Sequence, residues 1–214
     1  MVATGEADRA ISLGVGHDVS WDREVAERGI PVAMFDPTVA ALPAPVPGGA
    51  FHRIGLGDPA DFIGTDLAGM DMRPFADLLS IADASESTNA LLKVDIEGAE
   101  WDALREIDFA RFQQVLIEMH DLQRLKDEHA SAAVLAVLEH LAATHRAIHV
   151  HANNERPFHQ FGRVWFPEVI EVSFVRQDLL ESASPAPSLA SHLDTPSNPR
   201  YPEYDLTGLL TLQF

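Results

Sequence analysis

Apolar runs of strand length alternate with stretches of helical period along this chain. AISLGV, residues 10–15, predicts a first strand. From Ser20 to Arg28, Trp21 and Val25 are spaced for one helical face, and Gly29 suits the stop. PVAMFD, 31–36, predicts a second strand, and the prolines and glycines of TVAALPAPVPGG break both periods and predict a loop. A third strand is predicted over AFHRIGLG, 50–57, and a helix over RPFADLLSIAD, 73–83, with Pro74 tolerated in its first turn. ALLKVDI, 90–96, predicts strand four; a helix follows over 99–105, and QVLIEMH, 114–120, predicts strand five. The longest helix is expected over 128–143, where Val134, Leu135, Leu138 and Leu141 recur at helical spacing. AIHVHAN, 147–153, and VIEVSFVR, 169–176, complete a set of seven strands.

Strands that alternate with helices predict βαβ units and a parallel sheet. The last two strands are different, because only an aromatic and proline-bearing segment joins them. So short a connection cannot make a parallel crossover, and the final strand is therefore expected to pair antiparallel. The predicted fold is α/β and Rossmann-like, with a seven-stranded, mostly parallel sheet and an antiparallel final strand, which is the plan of class I methyltransferases. A dehydrogenase of Rossmann type would supply another crossover helix. Residues 1–181 are expected to form this domain, and the Pro- and Ser-rich residues 182–214 an extended tail that could dock as a lid.

Composition removes several classes. A net charge of −18 argues against a phosphate-backbone partner, which needs a basic face. The chain has no cysteine, which excludes disulfides, thiolate catalysis and cysteine-ligated zinc. No apolar run approaches the ~18 residues of a membrane span. The first residues lack the basic and apolar regions of a signal peptide, so a cytoplasmic protein is expected. There is no GxxxxGK phosphate loop, and the only tyrosines, Tyr201 and Tyr204, lie in the tail, away from any YxxxK pair on a helix.

Gly14 and Gly16 follow a strand and precede a helix, where glycine lets the backbone turn and approach a ligand. Asp36 ends the next strand, in position to accept ribose hydroxyls. The third glycine of a dinucleotide fingerprint is absent, since Val19 stands there. That disfavours NAD, which brings a pyrophosphate to the helix, and is compatible with S-adenosylmethionine, which has none.

LLKVDIEGAEWDAL resembles the DIEGAE signature of FkbM-type methyltransferases and related methyltransferase-like proteins. SLGVGHDVSWDREVA and VAMFDPT resemble the first motif and acidic second strand of the same group. VLIEMHDL, IHVHANN, VIEVSFVR and LDTPSNPRYPEYDL resemble a methyltransferase-like subfamily. The resemblance implies an S-adenosylmethionine cofactor contacted by Gly14, Gly16 and Asp36, with the loop containing Gly55, Leu56 and Asp58 near the adenine. Many relatives carry N-terminal helices over the substrate, whereas here the first strand begins almost at once.

Ligands in open α/β sheets bind beyond the carboxyl ends of the strands. Alternate strand residues share a face, so Asp95 is expected beside Glu97, Glu118 beside His120, and His149 beside His151, with Asn153 and Asn154 following. Two chemistries fit this set. A divalent ion such as Mg²⁺ or Mn²⁺, held by Asp95, Glu118 and His120, would orient a substrate hydroxyl and lower its pKa. Alternatively, no metal is bound, His120 or His151 acts as general base on a hydroxyl, and a nearby carboxylate orients the imidazole, with Asp95 and Glu97 counted among the catalytic residues. Glu100 and Trp101 read as ordinary helix residues. The expected activity is O-methyl transfer to a small-molecule or sugar-like hydroxyl, without nucleic-acid or membrane partners and with a homo-oligomer left open. The rival expectation is a non-catalytic binding or scaffold protein of the same fold.

Overall fold

The computed structural model describes residues 7–180, 194–204 and 206. Its elements in chain order are β1 (Ala10–Leu13), α1 (Ser20–Glu27), β2 (Val32–Phe35), β3 (Gly49–His52), β4 (Gly55–Leu56), β5 (Met72–Arg73), α2 (Phe75–Ile81), β6 (Ala90–Val94), α3 (Glu100–Ala103), β7 (Phe112–Met119), α4 (Glu128–Thr144), β8 (His145–Ala152), β9 (Phe158–Phe161), β10 (Val164–Pro167) and β11 (Ile170–Arg176). Seven strands form one sheet in the order β3-β2-β1-β6-β7-β11-β8. β1 pairs parallel with both β2 and β6, β2 pairs parallel with β3, and β8 and β11 pair antiparallel, as the short connection required. This is the expected Rossmann-like methyltransferase plan.

The chain divides into two compact units, residues 1–96 with 106–115, and residues 97–105 with 116–214. In the first, β1 and β2 are buried along their whole length, so neither shows the alternation of a half-exposed strand, and only Ser12 interrupts their apolar residues. Val19 and Val25 at and within α1 join Ala10, Val32, Met34 and Leu91 in a core cluster. Each such aliphatic side chain contributes about 1.5–3 kcal/mol on burial. In the second unit α4 turns Val134, Val137 and Leu141 inward. Asp127 caps that helix by accepting from the amides of His129 and Ala130.

Three local expectations need correction. The third strand is not continuous over 50–57. Ile54 N bonds back to His52 O at 2.8 Å, and this tight turn hands the chain to a separate parallel pair, β4 with β5. β3 is only partly buried while β4 is buried, and a single polar pair, His52 and Arg53, at their junction reads as part of an ordinary strand. The segment between β8 and β11 is not a plain loop but the antiparallel hairpin β9–β10. The helix after DIEGAE is a single turn, Glu100–Ala103, closed by the Leu104 N–H donating to Glu100 O, and Leu104 and Ile107 beyond it are both buried. Residues 1–6, 181–193, 205 and 207–214 lie outside the described residues, so most of the predicted 182–214 tail is outside them too.

Candidate functional site

In the first unit the glycine turn is built from the carboxyl end of β1. Gly14 adopts φ +78°, and a Cβ there would overlap the Asp95 carbonyl oxygen. Both the handedness and the close approach require glycine. Gly14 N donates to Phe35 O at 2.9 Å, Asp95 N donates to Leu13 O at 2.8 Å, and Lys93 Nζ donates to Gly14 O at 3.2 Å. Gly16 is different. Its φ is +54°, but a Cβ there would meet nothing within 4 Å, so this face of the turn is open.

Asp36 is what holds the turn. Its Oδ2 accepts from Val15 N at 2.9 Å and Gly16 N at 3.1 Å. Its Oδ1 accepts from Thr38 N at 2.8 Å, Thr38 Oγ1 at 2.6 Å and Val39 N at 3.4 Å. Burial alone would raise the pKa of this carboxyl, but the donors of Thr38, Gly16 and Val15 outweigh it and the net shift is downward. The residue is 4 % exposed. The sequence places Asp36 where a ribose diol would be read; in the structure its acceptor capacity is spent on the chain, and a diol would have to exchange with Thr38 or the loop amides. Gly55 and Leu56, expected near an adenine, are buried in β4, and a Cβ on Gly55 would press on Met72 and Pro37.

These contacts separate the two glycines. Gly14→Ala is expected to prevent stable folding, because neither β1 nor the Asp95 carbonyl can move aside. Gly16→Ala is expected to cost about 1–2 kcal/mol of stability, the handedness penalty alone. It should nevertheless weaken any ligand that approaches the open face. Thermal melts and ligand titration of the two variants check this.

Asp95 follows the DIEGAE strand in the first unit, and Glu97, Glu100 and His120 belong to the second. β6 ends at Val94, and Glu97 sits in the left-handed region at φ +55°, so the strand alternation that would align it with Asp95 does not reach it. Asp95 itself is half-buried. Glu100, read from the sequence as an ordinary helix residue, is completely buried. Its Oε1 lies 3.0 Å from His120 Nδ1 and accepts from Gly98 N at 3.3 Å. The Trp101 indole donates to the His120 carbonyl at 2.8 Å. The Nε2 of His120 is 3.5 Å from Glu97 Oε2, a carboxylate 77 % exposed. Asp121 is also left-handed, at φ +57°, and a Cβ on Gly98 would stand 3.1 Å from its Oδ2. Two non-glycine residues held left-handed on either side of one histidine mark a place where the fold tolerates strain.

Burial pushes the His120 imidazole down, but the bond to Glu100, with the charges of Glu100, Glu118 and Glu97, pushes it up further, to about 9. His151 also rises to about 9. Its bond to Glu171 is the largest cause, burial opposes it, and Glu203 adds to the rise. Nδ1 of His151 lies 3.4 Å from Glu171 and Nε2 lies 3.0 Å from Glu203. Both rings are therefore imidazolium at neutral pH. As placed, each ring lies against carboxylates, His120 against Glu100 and Glu97 and His151 against Glu171 and Glu203. His149 shares the His151 face of β8 and pairs with Asp194 at 2.8 Å. Glu118 accepts from Asn153 at 3.0 Å. For the predicted metal ligands Asp95, Glu118 and His120 the donor types suit a divalent ion, and a metal on His120 would first have to displace its proton.

The buried glutamate, the left-handed turn and the histidine all lie in one stretch that can be compared with known families. Residues 71–146 match the methyltransferase FkbM domain. No curated protein matches the chain. The matching segment runs from just before β5 to the start of β8 and contains the whole DIEGAE turn with His120. It supports a methyltransferase. Among the described residues no helix is long and apolar enough to cross a membrane.

Glu100 and Asn154 are the residues whose importance the sequence understated. The spacing of Glu97 and Glu100 within DIEGAE was visible, but period and composition do not show which of two glutamates faces inward.

Proposed function

We propose that this protein is an S-adenosylmethionine-dependent methyltransferase acting on a hydroxyl of a small or sugar-like acceptor. The match of residues 71–146 to the FkbM methyltransferase domain carries this reading. The open face of the glycine turn at Gly16 supports it, because a cofactor can approach there without meeting a side chain. Gly14, Gly16 and Asp36 are the cofactor-binding residues, Asp36 acting through the turn it holds, with Gly55 and Leu56 behind it. When bound, the cofactor supplies an electrophilic methyl group on a sulfonium.

The chain's own groups receive and orient the acceptor. Glu97 is the exposed carboxylate of the set and the natural acceptor of the hydroxyl proton. His120 holds its Nε2 3.5 Å from the Glu97 carboxylate and is itself fixed by Glu100. Asp95, two residues before Glu97, is assigned to orienting the acceptor. His151 is assigned a positioning role from its place on β8. Direct transfer of a methyl group needs alignment more than covalent help, so positioning supplies much of the acceleration. A strongly acidic chain suits a neutral or cationic acceptor.

A non-catalytic binding protein of this fold is the second reading, favoured by the two charged histidines where a base was expected. Calorimetric titration with S-adenosylmethionine, with NAD as control, tests the cofactor. Micromolar binding to S-adenosylmethionine alone is the expected result, and no binding by folded protein sinks the proposal. Asp95→Asn separates the two readings. An enzyme should lose at least about tenfold in turnover, equivalent to ~1.4 kcal/mol of barrier, with cofactor affinity retained. Mg²⁺ or Mn²⁺ added to chelator-treated protein is expected to leave cofactor affinity unchanged.

A further inference from the structure

Residues 194–204 return to the second unit after β11 and dock along β8. The contacts are more specific than those of a tail resting on a surface. Asn154, 3 % exposed, reads the backbone of this segment with its whole amide group. Its Nδ2 donates to Asn198 O and Tyr201 O, each at 3.0 Å, and its Oδ1 accepts from Asn198 N at 2.8 Å. Two ion pairs flank this clasp, His149 with Asp194 at 2.8 Å and His151 with Glu203 at 3.0 Å. Tyr204 stands edge-on to Phe158 with ring centroids 4.6 Å apart, and its hydroxyl donates to Arg156 O. Asn198 forms a further bond to Glu155.

The place of docking gives the segment a role. Asn153, next to the clasp residue, donates to Glu118 at the end of β7, two residues before His120. The strap therefore lies beside the groups assigned above to the acceptor. Its two charged anchors differ in exposure: Glu203 is 40 % exposed, and Asp194 is 17 % exposed beside His149. Partly solvated ion pairs contribute little each, so the buried amide of Asn154, with three bonds to the strap backbone, sets most of the docking specificity. A segment held by one buried clasp and weak flanking pairs can leave without disturbing the sheet beneath it.

The geometry points to residues 194–204 as a latched strap that covers the acceptor end of the second unit and must lift to admit the acceptor. The covering role rests on the methyltransferase reading; the docking does not. Asn154 is the latch, and His149 and His151 are the side clasps. An acceptor that displaces the strap would compete for the same donors, which selects hydroxyl- and carbonyl-bearing molecules over apolar ones.

Because the chain has no cysteine, a single thiol can report on access. The test compares Asn153→Cys protein with the same protein carrying Asn154→Ala. A third form carries Asp194→Asn with Glu203→Gln, both on the strap itself, so that the sheet is untouched if the Asn154 variant folds poorly. Hydrogen exchange at the Asn198 amide and maleimide labelling at position 153 are measured, with S-adenosylmethionine titration alongside. Loss of the latch is expected to raise both rates at least tenfold and to leave cofactor affinity unchanged. Exchange as slow in both strap variants as in the parent overturns the latch. Faster exchange with unchanged labelling overturns the cover. Absence of cofactor binding in every form, the parent included, sinks the methyltransferase reading while leaving the latch result standing.

Discussion

Asp36→Ala is expected to abolish cofactor binding and to lower unfolding stability by about 3–5 kcal/mol, the range for removing the shared acceptor of a buried hydrogen-bond network. The carboxylate accepts from Val15, Gly16, Thr38 and Val39. Without it the Val15 amide is left buried and the Gly16 turn loses its anchor. Asp36→Asn is the sharper test, because the shape is kept. An amide has one acceptor oxygen, so it can serve either the glycine turn or Thr38, and its NH₂ must face the donors of the other. It should therefore lose about half of the stability lost by Asp36→Ala and still bind cofactor at least tenfold more weakly. Chemical denaturation and calorimetry measure the two effects separately. If Asp36→Ala binds S-adenosylmethionine as the parent does, the turn is not the cofactor site.

The second large effect is the pH dependence set by His120. Its folded pKa, about 9, lies above the ordinary histidine value of 6.5. A group with a raised folded pKa favours the folded state while protonated. The contribution is fully present below about 6.5 and is lost as pH rises through about 9. Stability should accordingly fall between pH 7 and 10, and His151 should add to the same fall, discounted because its carboxylate partners are half exposed. For His120 the contribution is up to about 3 kcal/mol at neutral pH, from ~1.4 kcal/mol per pKa unit. Glu100→Gln preserves the bulk of the buried side chain while removing its charge. It should bring His120 back toward the ordinary range and flatten the alkaline limb. A His120 resonance that still titrates near 9 in that variant would show that Glu100 does not set its charge.

Much of the architecture was legible from the chain alone, for reasons that can be named. β2 is apolar throughout, and β1 and β6 are interrupted only by Ser12 and Lys93, so each stands out as a strand-length apolar run. The antiparallel pairing of β8 and β11 followed from the lack of a crossover helix between them. The strand-turn-helix unit with Gly14 and Gly16 was equally visible, because positive φ at a strand end leaves few residue types to choose from. The break at Ile54 was not visible, since both partners of that segment are apolar enough to continue the pattern.

The candidate site was legible as a set of residue types and illegible as an arrangement. DIEGAE shows that carboxylates and a glycine turn follow β6. Burying Glu100, exposing Glu97 and setting Glu97 left-handed depend on Gly98, Trp101 and the His120 backbone, groups brought together only by folding. The same holds for protonation. A histidine in a sequence has its ordinary pKa; His120 becomes an imidazolium because Glu100 is buried against one nitrogen. Sequence alone determined the order of elements, the glycine turn and the chemistry available at the strand ends, because local period and residue type encode burial and backbone freedom. Only the tertiary structure decided that Asp36 turns inward to hold the loop, that the histidines carry charge, and that Asn154 clasps residues 194–204. Those outcomes depend on which polar groups meet across distant segments, and pairing at long range leaves no period in the chain.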